Sequence, residues 1–249
     1  MPILVSNTMD WKDRTRLLLK EKKLSILEDS HVLIVGLGGV GAYAAEMLCR
    51  SATGRLTLVD GDTVEQTNRN RQLPALSSTE GKLKTEILKE RFTDINPNIR
   101  IHTIDEFLCD EKTVNVLDMD KYDYVIDAID TLSPKVFLIL ETLKRNIPLV
   151  SAMGAGGKLD PSKIQVGDIS KTYQCSLASA VRKRLKKQGV VRGFQAVFST
   201  ETVSEDVSRE DTLSQFKRTT MGTISYMPAM FGCWCASVCI CDLIRETVF

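Results

Sequence analysis

The chain has 249 residues, 43% apolar and 26% charged, with a formal net charge of +1. The length suits one large α/β domain or a domain with an appendage, and near-neutral charge confines any nucleic-acid surface to a local patch. No apolar run of the ~18 residues needed for a membrane span stands out, and the N-terminus lacks a signal peptide's basic, apolar and small-residue order, so a cytoplasmic protein without membrane partners is expected.

Residues 12–28 read as a helix, with Leu17, Leu24 and Leu27 on one side of a highly charged segment. "HVLIVGLGGVGAYAAEML" (31–48) then gives an apolar strand, a turn rich in glycine (Gly36, Gly38, Gly39, Gly41) and a helix. Such a turn lets backbone approach a phosphate at a helix N-terminus, where unpaired N–H groups point outward. Further strands are expected at 55–60, 99–104, 122–129 and 147–152. Helices are expected at 80–97, stopped by Asn96-Pro97, and from Ser133-Pro134, where Pro suits the first turn. This alternation predicts a doubly wound, Rossmann-like α/β fold with a mostly parallel sheet.

Beyond residue 152 the alternation breaks. Residues 154–169 read as a Gly-rich turn and a further strand, 176–187 as a basic helix, 199–220 as a mobile loop, and the chain closes on an apolar helix. One domain over 1–249 follows, with a nucleotide-binding core (1–152) and a substrate-binding extension (153–249). "GAGGK" (154–158) is not a P-loop, since its glycine spacing is too short and Leu159 stands in place of the hydroxyl.

Asp60 ends the second strand about 20 residues past the glycines, where a carboxylate holds ribose hydroxyls of NAD or ATP alike. Arg69, Arg71, Lys82 and Lys84 follow it. A hydride enzyme has little use for such a concentration of cations, whereas a polyphosphate needs it, although a solvated basic face would look the same. "DAIDTLSPK" puts Asp127 and Asp130 at the carboxyl end of the fourth strand, where an Asp can hold Mg²⁺ against phosphate oxygens or merely cap the next helix. Together these features favour ATP over NAD.

"GLGGVG", "VDGDTVEQTNRNRQ", "GKLKTEILKERFTDINP" and "VIDAIDTLSPK", in this order, resemble the ubiquitin-activating-type adenylyltransferases, which include the enzymes that activate sulfur carriers. The segment "GAGGKLDPSKIQVGDISKT" and the basic helix after it are similar to the tRNA threonylcarbamoyladenosine dehydratase branch. That resemblance implies an ATP- and Mg²⁺-dependent enzyme that cyclises N6-threonylcarbamoyladenosine at position 37 of tRNAs through an acyl-adenylate. It implies that Gly36, Gly38, Gly39 and Gly41 line the nucleotide, with Asp60 on ribose and Asp62 beside it. Asn68, Arg71 and Lys84 would contact the triphosphate, Gln72 would support Arg71, Asp130 would hold Mg²⁺, and Lys135 is a lesser candidate. Arg14 or Arg16 would pass into the neighbouring site of a homodimer. A cysteine-desulfurase system as partner and a monovalent cation are left open. A carrier-protein adenylyltransferase is the alternative, weakened by the lack of the paired C-x-x-C zinc motifs of that branch, so no zinc is expected; an NAD-dependent oxidoreductase ranks third.

An odd count of seven cysteines argues against a disulfide framework. The four in "CWCASVCIC" (233–241) read as buried small hydrophobes rather than metal ligands. Thr223 stands where some dehydratases of the branch carry a cysteine, which leaves Cys175 as the candidate thiol nucleophile or an ordinary helix-start residue. In "SLASAVRKRLKKQGVVRG", Leu177, Val181 and Leu185 form one apolar stripe, so Arg182, Lys183, Arg184, Lys186, Lys187 and Arg192 face outward as a tRNA surface or a solvated face.

Overall fold

The computed structural model describes residues 10–204, 207–210 and 219–245. Seven strands form one sheet: β1 (His31–Val35), β2 (Arg55–Val59), β3 (Arg100–Ile104), β4 (Tyr124–Asp127), β5 (Leu149–Ala152), β6 (Ile164–Asp168) and β7 (Gln195–Ser199), in the spatial order β3-β2-β1-β4-β5-β7-β6. All neighbours are parallel except β6 against β7. The doubly wound, mostly parallel sheet expected from the sequence is therefore present, and the extension adds its last two strands. The order reverses between β1 and β4, the crevice where such sheets take ligands.

Side-chain alternation sorts each strand onto two cores. Val32, Ile34, Leu56, Leu58, Tyr124 and Ile126 face α2 (Gly41–Arg50), α3 (Lys84–Ile95) and α7 (Tyr226–Leu243). Leu33, Val35, Val59 and Val125 face α4 (Asp110–Met119), α5 (Leu132–Lys144) and α6 (Ser176–Lys186). Pairing sets Val35 opposite Val59 and Asp127, and Asp127 opposite Ser151, so these strands end level with one another. Everything that follows them emerges at one edge.

Several expectations need correction. In α1 (Asp13–Asp29) the backbone breaks at Lys20 (φ 65°, ψ 162°), which changes the helical phase: Leu24 and Leu27 are buried while Leu17 is 71% exposed. The third helix begins at Lys84 rather than residue 80, because Gly81 takes φ +82° in a turn whose N–H binds the Val64 carbonyl. Helix α4 and strand β7 were not anticipated; α4 is short and opens on polar residues, and β7 (QAVFS) shows no alternation of polar and apolar residues. The loop expected over 199–220 contains paired strands, β8 (Ser208–Glu210) and β9 (Thr219–Met221). Residues 205–206 and 211–218 of that loop lie outside the described residues. Helix α7 also reaches the length and apolarity of a membrane span, which the sequence reading did not credit; it packs on α2 and the sheet, burying Met227, Phe231, Cys235 and Cys239.

The end of β4 carries a sealed ion pair. Lys135 Nζ lies 2.8 Å from Asp127 Oδ2, and both side chains are fully buried. Ser151 Oγ donates to the same carboxylate at 2.6 Å, the Ile129 N–H to its other oxygen at 3.1 Å, and Lys135 Nζ to the Ile129 carbonyl at 2.8 Å. Removing one partner strands the other charge, so Lys135→Met should cost about 3–5 kcal/mol. Urea unfolding of Lys135→Met and of the Asp127→Asn/Lys135→Met pair checks this: the double variant should recover part of the loss, and a single variant as stable as the parent would disprove it.

Candidate nucleotide-binding site

The glycine turn between β1 and α2 is shaped by contacts that admit no side chain. Gly36 has φ +89°, and a Cβ there would meet the Ala128 carbonyl oxygen at 2.8 Å. At Gly41 a Cβ would fall 1.8 Å from the Gly36 oxygen, because the turn folds back onto the helix start. Gly39 packs on Pro228 of α7 and on the Arg71 carbonyl. Gly38 faces the Gln72 amide, 3.7 Å from its virtual Cβ.

Asp60 closes the turn from the β2 side. Its Oδ2 accepts the Leu37 N–H at 2.6 Å and its Oδ1 the Asp62 N–H at 2.8 Å. Burial pushes its carboxyl pKa up against the pull of Lys84 and those two N–H groups. Lys84, only 3% exposed, sits with Nζ 2.8 Å from Asp62 Oδ2 and 3.9 Å from Asp60 Oδ1. Asp62 thus holds Lys84 in place.

Asn68 is turned inward, its Oδ1 accepting the Glu65 N–H at 3.2 Å to cap the short 3-10 turn Gln66–Asn68. Arg71 donates through Nη1 to the Thr67 carbonyl at 3.0 Å and to Asn70 Oδ1 at 2.8 Å. Burial lowers the Arg71 pKa, and the Asp130 carboxylate opposes that shift. No hydrogen bond joins Gln72 to Arg71 among the described residues, so the expected support comes from Thr67 and Asn70 instead; Gln72 Oε1 is buried without a partner there. Arg69 turns away to Ser77 Oγ at 2.7 Å.

Asp127 and Lys135 are engaged with each other, and both side chains are fully buried. Asp130 is exposed at the crevice and is the carboxylate of this loop that a metal could reach.

Outside the crevice, Arg16 engages Asp10 and Glu21, each at 3.1 Å, and contacts Asp13. Arg14 is exposed and has no ion pair or hydrogen bond among the described residues. On α6, Arg184 Nη1 binds Ser133 Oγ at 2.7 Å and Arg182 binds Thr172 Oγ1, while Lys183, Lys186, Lys187 and Arg192 are exposed. Cys175 precedes α6 and is buried beside Gly154. Cys235 and Cys239 are fully buried with thiol pKa values pushed up by burial, Cys235 to about 12; Cys233 and Cys241 are only half-buried, against the expectation of four core thiols.

Sequence reasoning missed Asn70 and Lys158. Lys158 is 3% exposed and donates to the Glu201 carbonyl at 2.9 Å, with its pKa lowered by burial. Its position directly after a glycine pair was the available signal. That of Asn70 was its place between two arginines.

This edge of a doubly wound sheet, with glycine turn, inward carboxylate and two cations, defines a nucleotide-binding α/β protein. A model of the ThiF family matches residues 13–246, and the chain belongs to that family. The chain is 40% identical over 240 residues to the Bacillus subtilis (strain 168) protein named tRNA threonylcarbamoyladenosine dehydratase, covering 94% of each. The crystal structure of Escherichia coli tRNA N6-threonylcarbamoyladenosine dehydratase, TcdA, in complex with ATP superposes with a TM-score of 0.83 and 37% identity, over 94% of this chain and 95% of that one. The Escherichia coli (strain K12) molybdopterin-synthase adenylyltransferase is 34% identical over 151 residues, 60% of this chain and 59% of that protein.

Gly41→Ala must displace the Gly36 carbonyl and should cost about 1–3 kcal/mol by overpacking. It should also abolish the rise in Tm that ATP produces. An undiminished ATP shift in that variant would show that the turn does not shape the nucleotide site.

Proposed function

We propose that this chain is an ATP-dependent tRNA threonylcarbamoyladenosine dehydratase. The observation that carries the reading is the convergence, at one sheet edge, of the glycine turn, Asp60, Lys84, Arg71 and Asp130. The relatives named as dehydratases support it over carrier-protein adenylation, because they match along nearly the whole chain, extension included. Residues 1–152 act as the nucleotide core and 153–249 as the part that receives the tRNA.

A carboxylate is a poor electrophile because its leaving group would be oxide. The threonyl carboxylate oxygen attacks the α-phosphorus of ATP, pyrophosphate leaves, and an acyl-adenylate forms. A nucleophile in the same modified side chain then attacks the acyl carbon, loses its proton and expels AMP, closing the ring. Intramolecular attack gains effective molarity, so the protein supplies alignment rather than a covalent nucleophile. Asp60 orients the ribose. Lys84 and Arg71 neutralise the oxygens as charge moves toward pyrophosphate. Asp130 would hold Mg²⁺, which would supply positive charge to the phosphates. Cys175, buried beside Gly154 at the start of α6, has no covalent role in this reaction.

The active form is a homodimer in which Arg14 reaches the neighbouring site. Its freedom from ion pairs among the described residues, beside the 71%- and 79%-exposed Leu17 and Leu18, supports this choice over Arg16, whose guanidinium is already engaged.

Mass spectrometry of tRNA nucleosides from cells lacking this protein tests the reading. The cyclic nucleoside should vanish and its open form accumulate; persistence of the cyclic form refutes it. With the purified protein, Asp130→Asn should lower Mg²⁺-dependent cyclisation at least about 100-fold with an unchanged Tm, as loss of a transition-state charge contact does. Undiminished turnover removes the metal role. The four exposed cations on and after α6, unpaired among the described residues, should make tRNA affinity fall about 10²-fold between 50 and 200 mM salt, and a flat salt dependence excludes that face.

A further inference from the structure

Asn70 occupies a position that the proposed roles do not use. It is exposed, and both ends of its carboxamide are committed. Oδ1 accepts from Arg71 Nη1 at 2.8 Å, and Nδ2 donates to the Thr223 carbonyl at 2.9 Å. Turning the amide over would face an NH₂ to a guanidinium and an oxygen to a carbonyl, so one orientation alone satisfies both neighbours.

Thr223 directly follows β9 and Gly222, where the β8–β9 pair docks onto the "GAGG" turn. The Gly222 N–H donates to the Val207 carbonyl at 2.8 Å, and the Gly157 N–H donates to the Gly222 carbonyl at 2.7 Å. Gly156 and Gly157 lie against Met221 and Val203 with no room for a Cβ. Just beyond, Tyr226 OH donates to the Leu159 carbonyl at 2.8 Å. The hairpin base is therefore fastened to the extension by backbone bonds and packing. Its one side-chain link to the nucleotide loop among the described residues is Asn70.

We infer that Asn70 is a positioning residue that couples nucleotide occupancy at Arg71 to the docking of the Gly222–Thr223 segment, at the end of β9, on the Gly156–Gly157 turn. This rests on the nucleotide reading above. Arg71 Nη1 is occupied by Thr67 and Asn70, which leaves Nε and Nη2 for phosphate oxygens. A triphosphate on those donors fixes the guanidinium without breaking its bond to Asn70. The fixed amide in turn holds the Thr223 carbonyl. The Gly222–Thr223 segment thus tightens on the Gly156–Gly157 turn when ATP is bound. Solvent-exposed bonds of this kind add little stability, so their effect lies in the linkage of two segments rather than in holding the fold.

Hydrogen–deuterium exchange of the full chain, with and without a saturating non-hydrolysable ATP analogue, tests the coupling without any tRNA. In the parent, the analogue should slow exchange both at residues 36–41 and at the Gly222 and Gly157 amides, the latter at least about fivefold. In Asn70→Ala, residues 36–41 should still respond while Gly222 and Gly157 do not. Asn70→Asp, which keeps an acceptor for Arg71 but turns an oxygen toward Thr223, should behave like Asn70→Ala. Equal slowing of the hairpin amides in parent and variants overturns the inference. So does a parent whose glycine turn responds while its hairpin does not. No response at residues 36–41 in the parent would overturn the nucleotide reading itself, and the coupling with it.

Discussion

A positive and a negative charge, both sealed from water, face each other at the carboxyl end of β4. Burying such a pair gains little against well-packed apolar residues, because desolvation consumes most of the attraction. Its value here is geometric. Lys135 and Asp127 bind the carbonyl and N–H of Ile129 and the hydroxyl of Ser151, so the turn leaving β4 is fastened to α5 and β5 at once. Asp130 and the Ala128 carbonyl that abuts Gly36 ride on that turn. The crevice between β1 and β4 inherits its shape from a pair sealed from water.

The same economy holds on the β2 side. Lys84 is nearly buried, yet Asp60 and Asp62 hold its ammonium in place before any phosphate arrives. Asp60 also ties down the Leu37 N–H of the glycine turn. Charges that are already oriented need no reorganisation when charge shifts during reaction, which is how fixed dipoles and ions lower a barrier. The cost is a carboxyl whose pKa burial has raised.

Sequence pattern exposed most of this architecture because the decisive features are periodic or singular. Alternating strands and helices, four glycines in six positions and a carboxylate at a strand end are visible without coordinates. What escaped notice depends on contacts distant in the chain. Lys135 reads as one more cation near phosphates until its 0% exposure is known. Asn70 and Thr223 are 153 positions apart. The Lys20 break in α1 lies in a run of good helix formers, so nothing local announces that Leu17 leaves the face of Leu24 and Leu27. Strand β7 has partners on both sides and therefore lacks the alternation that marks a half-exposed strand.

The cysteines were weighed above for catalysis and metal binding, but their distribution has an analytical use. Cys49 and Cys235 lie in the core with thiols pushed to about 12, leaving about one in 10⁵ ionised at neutral pH. Cys109 alone of the seven is exposed. It precedes α4, two residues from Phe107, whose ring packs against Gly61 next to Asp60. The unmodified chain therefore carries one readily addressable sulfur, two residues from a ring that abuts the turn after Asp60, where a thiol-reactive dye can be attached without an engineered residue.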